Sequence, residues 1–331
     1  MNSRFWMALA VAISLAASPI GCGDDDDSAG GDAGTDTDAD TDTDADADTD
    51  TDSDADGDAG TGANGDFCDL NESCASYFCE TSQSIPQDPA GVCAEGPGEG
   101  QMRILANVRD FYTEAPIADL TVKITGAVTA VMNPTGAEAL ATATTDAEGF
   151  FDITGGTELT GATVGIVAIA EATDHYLTIT GLVEPELEGD VYPPGIRNHD
   201  IKILSQAKLD EWSGYLASYP ELTAMLPLGP AAGAVVGRIR YVEDGAGVPG
   251  AAITSEDGTT DALLYYLNEA EDGFEQTATG SSGIFILFNP ALAERFVAVK
   301  DGAVNSRTTA TMGQTPGSIY TNTIHVEGSA K

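Results

Sequence analysis

The feature that most constrains this chain is a stretch that cannot fold. From Asp24 to Asp66 there are 18 Asp and no Lys, Arg or aromatic residue. The run alternates Asp with Thr and Ala, as in Thr35-Asp36-Thr37-Asp38-Ala39-Asp40, and offers no apolar face at the strand or the helix period. With nothing to bury against the entropy of ordering it, such a segment stays disordered and self-repelling. Residues 22–66 therefore read as a tether, able to reach about 150 Å when fully drawn out. A calcium loop is the sharper alternative, since Asp52, Asp54, Asp56 and Gly57 match the opening of an EF-hand. The twelfth position, where a bidentate acid must stand, is Ala63, so no metal site is expected there.

The acidity extends beyond the tether. The whole chain carries 54 acids against 13 bases, a formal charge of −41. Neutralising phosphates needs a face rich in Lys and Arg, so nucleic acid is excluded as a partner.

Residues 1–21 have the form of a secretory signal: Arg4, an almost unbroken apolar run from Phe5 to Ala17, then Ser18, Pro19 and Gly21. The run ends at Pro19, short of the roughly 20 apolar residues that a membrane span needs. Ile20-Gly21-Cys22 resembles the end of a bacterial lipobox. That resemblance implies a diacylglyceryl group on the Cys22 thiol, cleavage just before it, and a lipid bilayer as partner. Gly23 rather than Asp follows, which implies an outer-membrane, cell-surface lipoprotein. Two or three acyl chains exceed the single chain that binds a membrane only marginally, so anchoring should be stable.

Behind the tether, Cys68, Cys74, Cys79 and Cys93 fall within 26 residues, bounded by Gly65 and by Gly96-Pro97-Gly98. In an exported chain this predicts a disulfide segment over residues 67–100. Zinc is disfavoured, because there is no C-x2-C pair and no His within reach. Four cysteines allow three pairings, and spacing does not choose among them. The segment resembles the Cys-rich modules behind acidic linkers in lipoproteins of deltaproteobacterial and myxobacterial type.

From Met102 onward, short β-branched runs alternate with Gly, Pro, Asn and Asp, the mark of antiparallel sandwich strands. The first set is 103–110, 120–125, 139–145, 150–154, 163–170, 176–180 and 200–204. The second is 235–242, 251–255, 262–267, 276–279, 284–288, 296–300 and 319–326, with 306–311 as a further candidate. The two sets correspond. Ala115-Pro116-Ile117-Ala118 precedes Val248-Pro249-Gly250-Ala251 by 133 residues, and Asp146-Ala147-Glu148-Gly149-Phe150-Phe151 precedes Gly280-Ser281-Ser282-Gly283-Ile284-Phe285 by 134. An almost constant offset is what tandem duplication produces. It predicts sandwiches over 101–204 and 233–331 that superpose with Pro116 on Pro249 and Gly149 on Gly283. Between them, over 205–232, a helix is expected from Gln206 to Tyr219, capped by Ser205 and ended by Pro220, with Leu209, Trp212, Leu216 and Tyr219 as an apolar stripe for packing.

The order of these motifs resembles the carboxypeptidase regulatory-like domain, a prealbumin-like sandwich. Pro116, Thr144, Asp146, Gly149 and Phe151 match the pattern in the first unit. Pro249, Gly250, Ala251, Gly283 and Phe285 match it in the second, where Ser281 replaces the Asp. The resemblance implies an all-β fold, two tandem prealbumin or immunoglobulin-like sandwiches, and almost no chemistry.

Catalytic signals are missing. No H-E-x-x-H, G-x-S-x-G or Walker loop occurs. His175, His199 and His325 are isolated from one another, and Gly280-Ser281-Ser282-Gly283 lacks the spacing of a nucleophile turn. Tyr265-Tyr266 invites comparison with intradiol dioxygenases, which hold iron through two Tyr and two His, but the His spacing is absent. The longest loops, 132–138, 182–197 and 268–275, carry Pro, Gly and acids but no His and no Cys. No catalytic residue, cofactor or metal is therefore expected. The chain reads as a noncatalytic envelope lipoprotein for adhesion, envelope architecture or ligand capture, its partner an envelope protein or a glycan. The alternative is an accessory carbohydrate- or protein-binding module serving a separate secreted enzyme.

Overall fold

A computed structural model describes residues 62–68, 74–76, 79–81, 91–97, 101–156, 159, 165–183, 195–291, 294–304 and 310–330. All lie within one compact unit, Ala55–Lys331. The signal segment, Cys22 and most of the tether fall outside the described residues.

The Cys-rich segment forms a small sheet of β1 (Phe67–Cys68), β2 (Cys79–Thr81) and β3 (Gly91–Cys93), in the order β1-β3-β2. It begins earlier than expected. Gly62 bridges Cys74, and Gly65 N–H donates to Cys93 O at 2.7 Å, so residues 62–66 belong to this fold rather than to the tether. Their Gly and Asn supply the turn that the Asp/Thr repeat lacks, with Gly65 at φ 98°.

The head is all-β. The first sandwich comprises β4 (Met102–Asp110), β5 (Thr121–Gly126), β6 (Ala141–Thr144), β7 (Phe150–Gly155), β8 (Ile166–Ala170), β9 (Thr178–Val183) and β10 (Gly195–Ile203). One sheet runs β10-β4-β7, and β6-β5-β8-β9 faces it. Alternation explains the layering: Met102, Ile104, Ala106 and Val108 of β4 enter a core with Val122, Ile124, Ile166, Ala168 and Ile201. A short helix, α1 (Ala127–Met132), covers the outer side of β8 through Ala130. Neither the strands at 120–125 and 139–145 nor the 132–138 loop leads one to expect this helix.

The second sandwich contains β11 (Ala234–Tyr241), β12 (Ala251–Ser255), β13 (Leu263–Leu267), β14 (Phe274–Glu275), β15 (Ile284–Phe288), β16 (Glu294–Lys300), β17 (Ala303–Val304), β18 (Ala310–Met312) and β19 (Ile319–Val326). The segment 276–279 is not a strand; two residues of the expected loop, Phe274–Glu275, pair instead. Val235, Ile239, Phe285 and Leu287 pack inward against Ile253, Phe296 and Ala298. Ala234, Val236, Ile284, Ile286 and Phe288 point the other way, into a second core. Because both faces of this sheet are covered, Ile284–Phe288 is apolar at every position instead of alternating.

The covering layer is α2 (Gln206–Leu216), shorter than the expected helix because the chain turns into a 3-10 segment at Pro220–Leu222. The Ser205 hydroxyl caps α2 by accepting from Lys208 N–H at 3.4 Å. Leu209, Trp212 and Leu216 are buried against the second sandwich.

Two features depart from a simple tandem. First, the sandwiches are not separate beads. Strand β19 pairs in parallel with β9, Ile319 opposite Thr178 and Thr321 opposite Thr180, which fuses one sheet of each into a nine-stranded sheet, β14-β13-β15-β11-β19-β9-β8-β5-β6. Second, the repeat register differs from the expected one. Ile117 N–H donates to Val108 O, and Val248 N–H to Ile239 O, at 2.9 and 3.0 Å. Arg109 bridges Pro116 as Arg240 bridges Gly247. The counterpart of Pro116 is thus Gly247, at an offset of 131, not Pro249. Val108 N–H donates to Gly149 O as Ile239 N–H donates to Gly283 O, so the offset at those glycines is 134. The second unit gains three residues between these points, and matching the two prolines concealed the step.

Candidate functional site

The densest polar arrangement lies where the sandwiches meet, around the hairpin that follows β4. Its base is Asp110, whose Oδ1 accepts from Tyr112 N–H (3.1 Å), Thr113 N–H (2.6 Å) and the Thr113 hydroxyl (2.8 Å). Its Oδ2 lies 3.1 Å from His175 Nε2. The turn drives Phe111 and Tyr112 into the second core, where both rings meet Trp212 edge-on at 6.2 Å. The Tyr112 hydroxyl donates to Glu271 Oε2 at 2.5 Å, and that bond, with burial, raises the phenol to about 12.

Burial alone would push the Asp110 carboxyl up, but the Thr113 bonds, the His175 charge and the Tyr112 N–H together hold it below its ordinary 3.8. A depressed folded value stabilises the fold above the unfolded value and is lost as pH falls through and below it. Asp110→Asn should therefore cost about 1–3 kcal/mol at neutral pH. Thermal unfolding of both proteins should show the difference shrinking below pH 3.8; a gap that stays constant with pH would contradict the assignment.

At the tip, Glu114 reaches across to the second sandwich. Arg238 Nη1 donates to Glu114 Oε1 at 2.5 Å, Arg240 Nη2 donates to the same oxygen, and Lys202 Nζ donates to Oε2. Lys202 also lies 3.1 Å from Asp200 Oδ2. The tip's carbonyls are held as well: Arg238 Nη2 donates to Phe111 O at 3.1 Å and Arg109 Nη1 to Glu114 O at 3.2 Å. Strand alternation makes this possible, since Arg238 and Arg240 lie on the face of β11 opposite Ile239, and Asp200 and Lys202 on the face of β10 opposite Ile201. Burial and the neighbouring Arg240 charge lower Arg238 to about 10, against the pull of Glu114. Behind the cluster, Thr180 and Thr321 hydroxyls meet at 2.6 Å, and Thr321 donates to Lys202 O at 2.9 Å.

The residues singled out by sequence do not converge. Tyr265 and Tyr266 are adjacent on β13 and face opposite cores, so they cannot share a metal ion. Burial and the bond to Glu221 push the Tyr265 hydroxyl above its ordinary value, and burial does the same for Tyr266, which keeps both as phenols. His175 pairs with Asp110, His199 lies on β10 opposite Ala106, and His325 lies on β19 opposite Arg240. Among the described residues no group of three His, Cys, Asp or Glu could hold a metal ion. Cys74 and Cys93 form a disulfide with Cα atoms 5.4 Å apart. Cys68 and Cys79 lie on β1 and β2, with side chains outside the described residues, and so does most of the 182–197 loop. Among the described residues no helix is long and apolar enough to cross a membrane.

No family model matches the chain, and no curated protein matches it. Among solved structures it is similar to the shaft pilin SpaA from Lactobacillus rhamnosus GG, at 11% identity over 70% of this chain and 100% of the pilin, with a TM-score of 0.21. The Bacillus anthracis TIE protein shares 9% identity over 69% of this chain at a TM-score of 0.22, and the chain spans about a third of that protein, 34%. The 3-chlorocatechol 1,2-dioxygenase from Rhodococcus opacus 1CP shares 16% identity over 34% of this chain and 62% of the enzyme, at a TM-score of 0.21. Likenesses this low carry no argument about activity.

Proposed function

We propose that this chain is a noncatalytic lipoprotein of the outer membrane and cell surface. In this reading it is anchored through acylated Cys22, and its two sandwiches are carboxypeptidase regulatory-like domains held out on the Asp-rich tether. Its work is adhesion, envelope architecture or ligand capture, with an envelope protein or a glycan as partner. The observation that carries this reading is the nine-stranded sheet running through both sandwiches. Continuous backbone pairing through both units suits display of one joined head better than hinging of the two sandwiches around a substrate. The anchoring half rests on Ile20-Gly21-Cys22. Cys22→Ser in the full chain should move the protein from the membrane to the soluble fraction on cell fractionation. Membrane retention equal to that of the parent chain would defeat the lipid-anchor reading.

A further inference from the structure

Four of the chain's 13 bases, Arg109, Lys202, Arg238 and Arg240, surround one hairpin tip. Three observations bear on what that gathering is for.

The first comes from the duplication. Glu114 N–H donates to Asp110 O, and Asp110 N–H to Ala115 O; in the second sandwich Gly245 N–H donates to Tyr241 O, and Tyr241 N–H to Ala246 O. Glu114 and Gly245 therefore hold the same slot, and both are left-handed, at φ 60° and 66°. The second unit fills the slot with the residue that enters this region freely. The first sets a carboxylate there against a steric penalty, so the side chain rather than the turn explains the choice.

The second is the construction of the receptor. The side chains of Lys202, Arg240 and Arg238 are 5%, 9% and 11% exposed, whereas that of Glu114 is 34% exposed. The cations come from strands β10 and β11 of different sandwiches, and the Arg238 guanidinium is further fixed 5.1 Å from the Phe111 ring centroid. The ligand is the outermost member, and the donors are preorganised around it.

The third is charge. Among the described residues the four bases face Glu114 and Asp200, with Glu271 also attracting Arg238, which leaves the cluster one positive charge in surplus within a chain of −41. The Nε atoms of Arg109 and Arg238 lie buried with no hydrogen-bond partner.

We infer that Lys202, Arg238 and Arg240 form an oxyanion-binding site occupied in cis by the Glu114 carboxylate, and that an oxyanion of phosphate type takes the site when the hairpin tip withdraws. Such exchange couples an external anion to the junction, because the same tip carries Phe111 and Tyr112 into the second core. The inference is independent of how the chain is anchored.

Glu114→Gly is the test, since the second sandwich shows that glycine suits this turn. Thermal unfolding of the full chain is compared in about 10 mM inorganic phosphate and in chloride of equal ionic strength. If the dissociation constant is about 1 mM, the variant should gain about 4 °C from phosphate while the parent chain gains less than about 1 °C. Adding Arg240→Gln to the variant should abolish the gain. Equal responses of variant and parent would overturn the proposal, and so would a gain that survives loss of Arg240. Should Glu114→Gly fail to fold, Glu114→Gln supplies a neutral tip of the same length. A phosphate-specific gain in that variant supports the site, and a response equal to the parent's overturns it.

Discussion

Replacing Trp212 by Ala should destabilise the folded head by about 3–5 kcal/mol, the range for deleting a large aromatic side chain from a core. The magnitude follows from position. Trp212 is 1% exposed, and its ring meets Phe111, Tyr112 and Phe274 edge-on at 6.2, 6.2 and 6.0 Å. Those partners come from the hairpin of the first sandwich and from the second sandwich, so the indole on α2 is where three parts of the chain meet. Edge-to-face contacts add to the burial of apolar area. The cavity cannot collapse cheaply, because the surrounding rings are tied to separate sheets. Chemical denaturation followed by tryptophan-independent circular dichroism should show the midpoint falling with the loss. A change under about 1 kcal/mol would mean that the helix is an attachment rather than the centre of the junction.

What the sequence made legible is what local rules decide. Strands 251–255, 284–288 and 319–326 could be read directly, because β-branched and aromatic runs bounded by turn residues leave few alternatives. The α2 stripe and its Ser205 cap were legible for the same reason. The pairing of β9 with β19 was not, because it joins residues about 140 positions apart, as at Thr180 and Thr321, and parallel pairing leaves no turn signature. Nor was the partner of the third strand in each sandwich: β6 pairs with β5, whereas β13 pairs with β15. Setting Pro116 on Pro249 already places Glu114 against a glycine, Gly247, and the two-residue shift places it against Gly245. What neither register discloses is the left-handed backbone that Glu114 and Gly245 share, at φ 60° and 66°, and that is what singles out the site.

The glycines of the Asp146–Gly149 and Gly280–Gly283 turns carry the second large effect, and they separate backbone strain from crowding. Gly283 has φ 69°, and a Cβ placed there would lie 2.2 Å from Ile239 O and 3.0 Å from Val248 N. Gly149 has φ 79°, with Val108 O at 2.6 Å and Ile117 N at 3.1 Å from its Cβ position. Each glycine carbonyl also accepts from the first strand of its own sandwich, Val108 N–H or Ile239 N–H, so the crowded atom is one the turn must keep close. Backbone cannot step aside as a flexible side chain can. Gly283→Ala should therefore combine a left-handed penalty of about 1–2 kcal/mol with overpacking of about 1–3 kcal/mol. Gly149→Ala should cost somewhat less, since its closest contact is longer. Gly258 is the control: its φ of 79° carries the same strain, yet nothing lies within 4 Å of the added carbon. Gly258→Ala should show the left-handed penalty alone. Denaturant midpoints for the three variants should fall in the order Gly258→Ala, Gly149→Ala, Gly283→Ala, from mildest to most severe. If Gly258→Ala were as damaging as Gly283→Ala, close approach to the first strand would not be what reserves these turns for glycine.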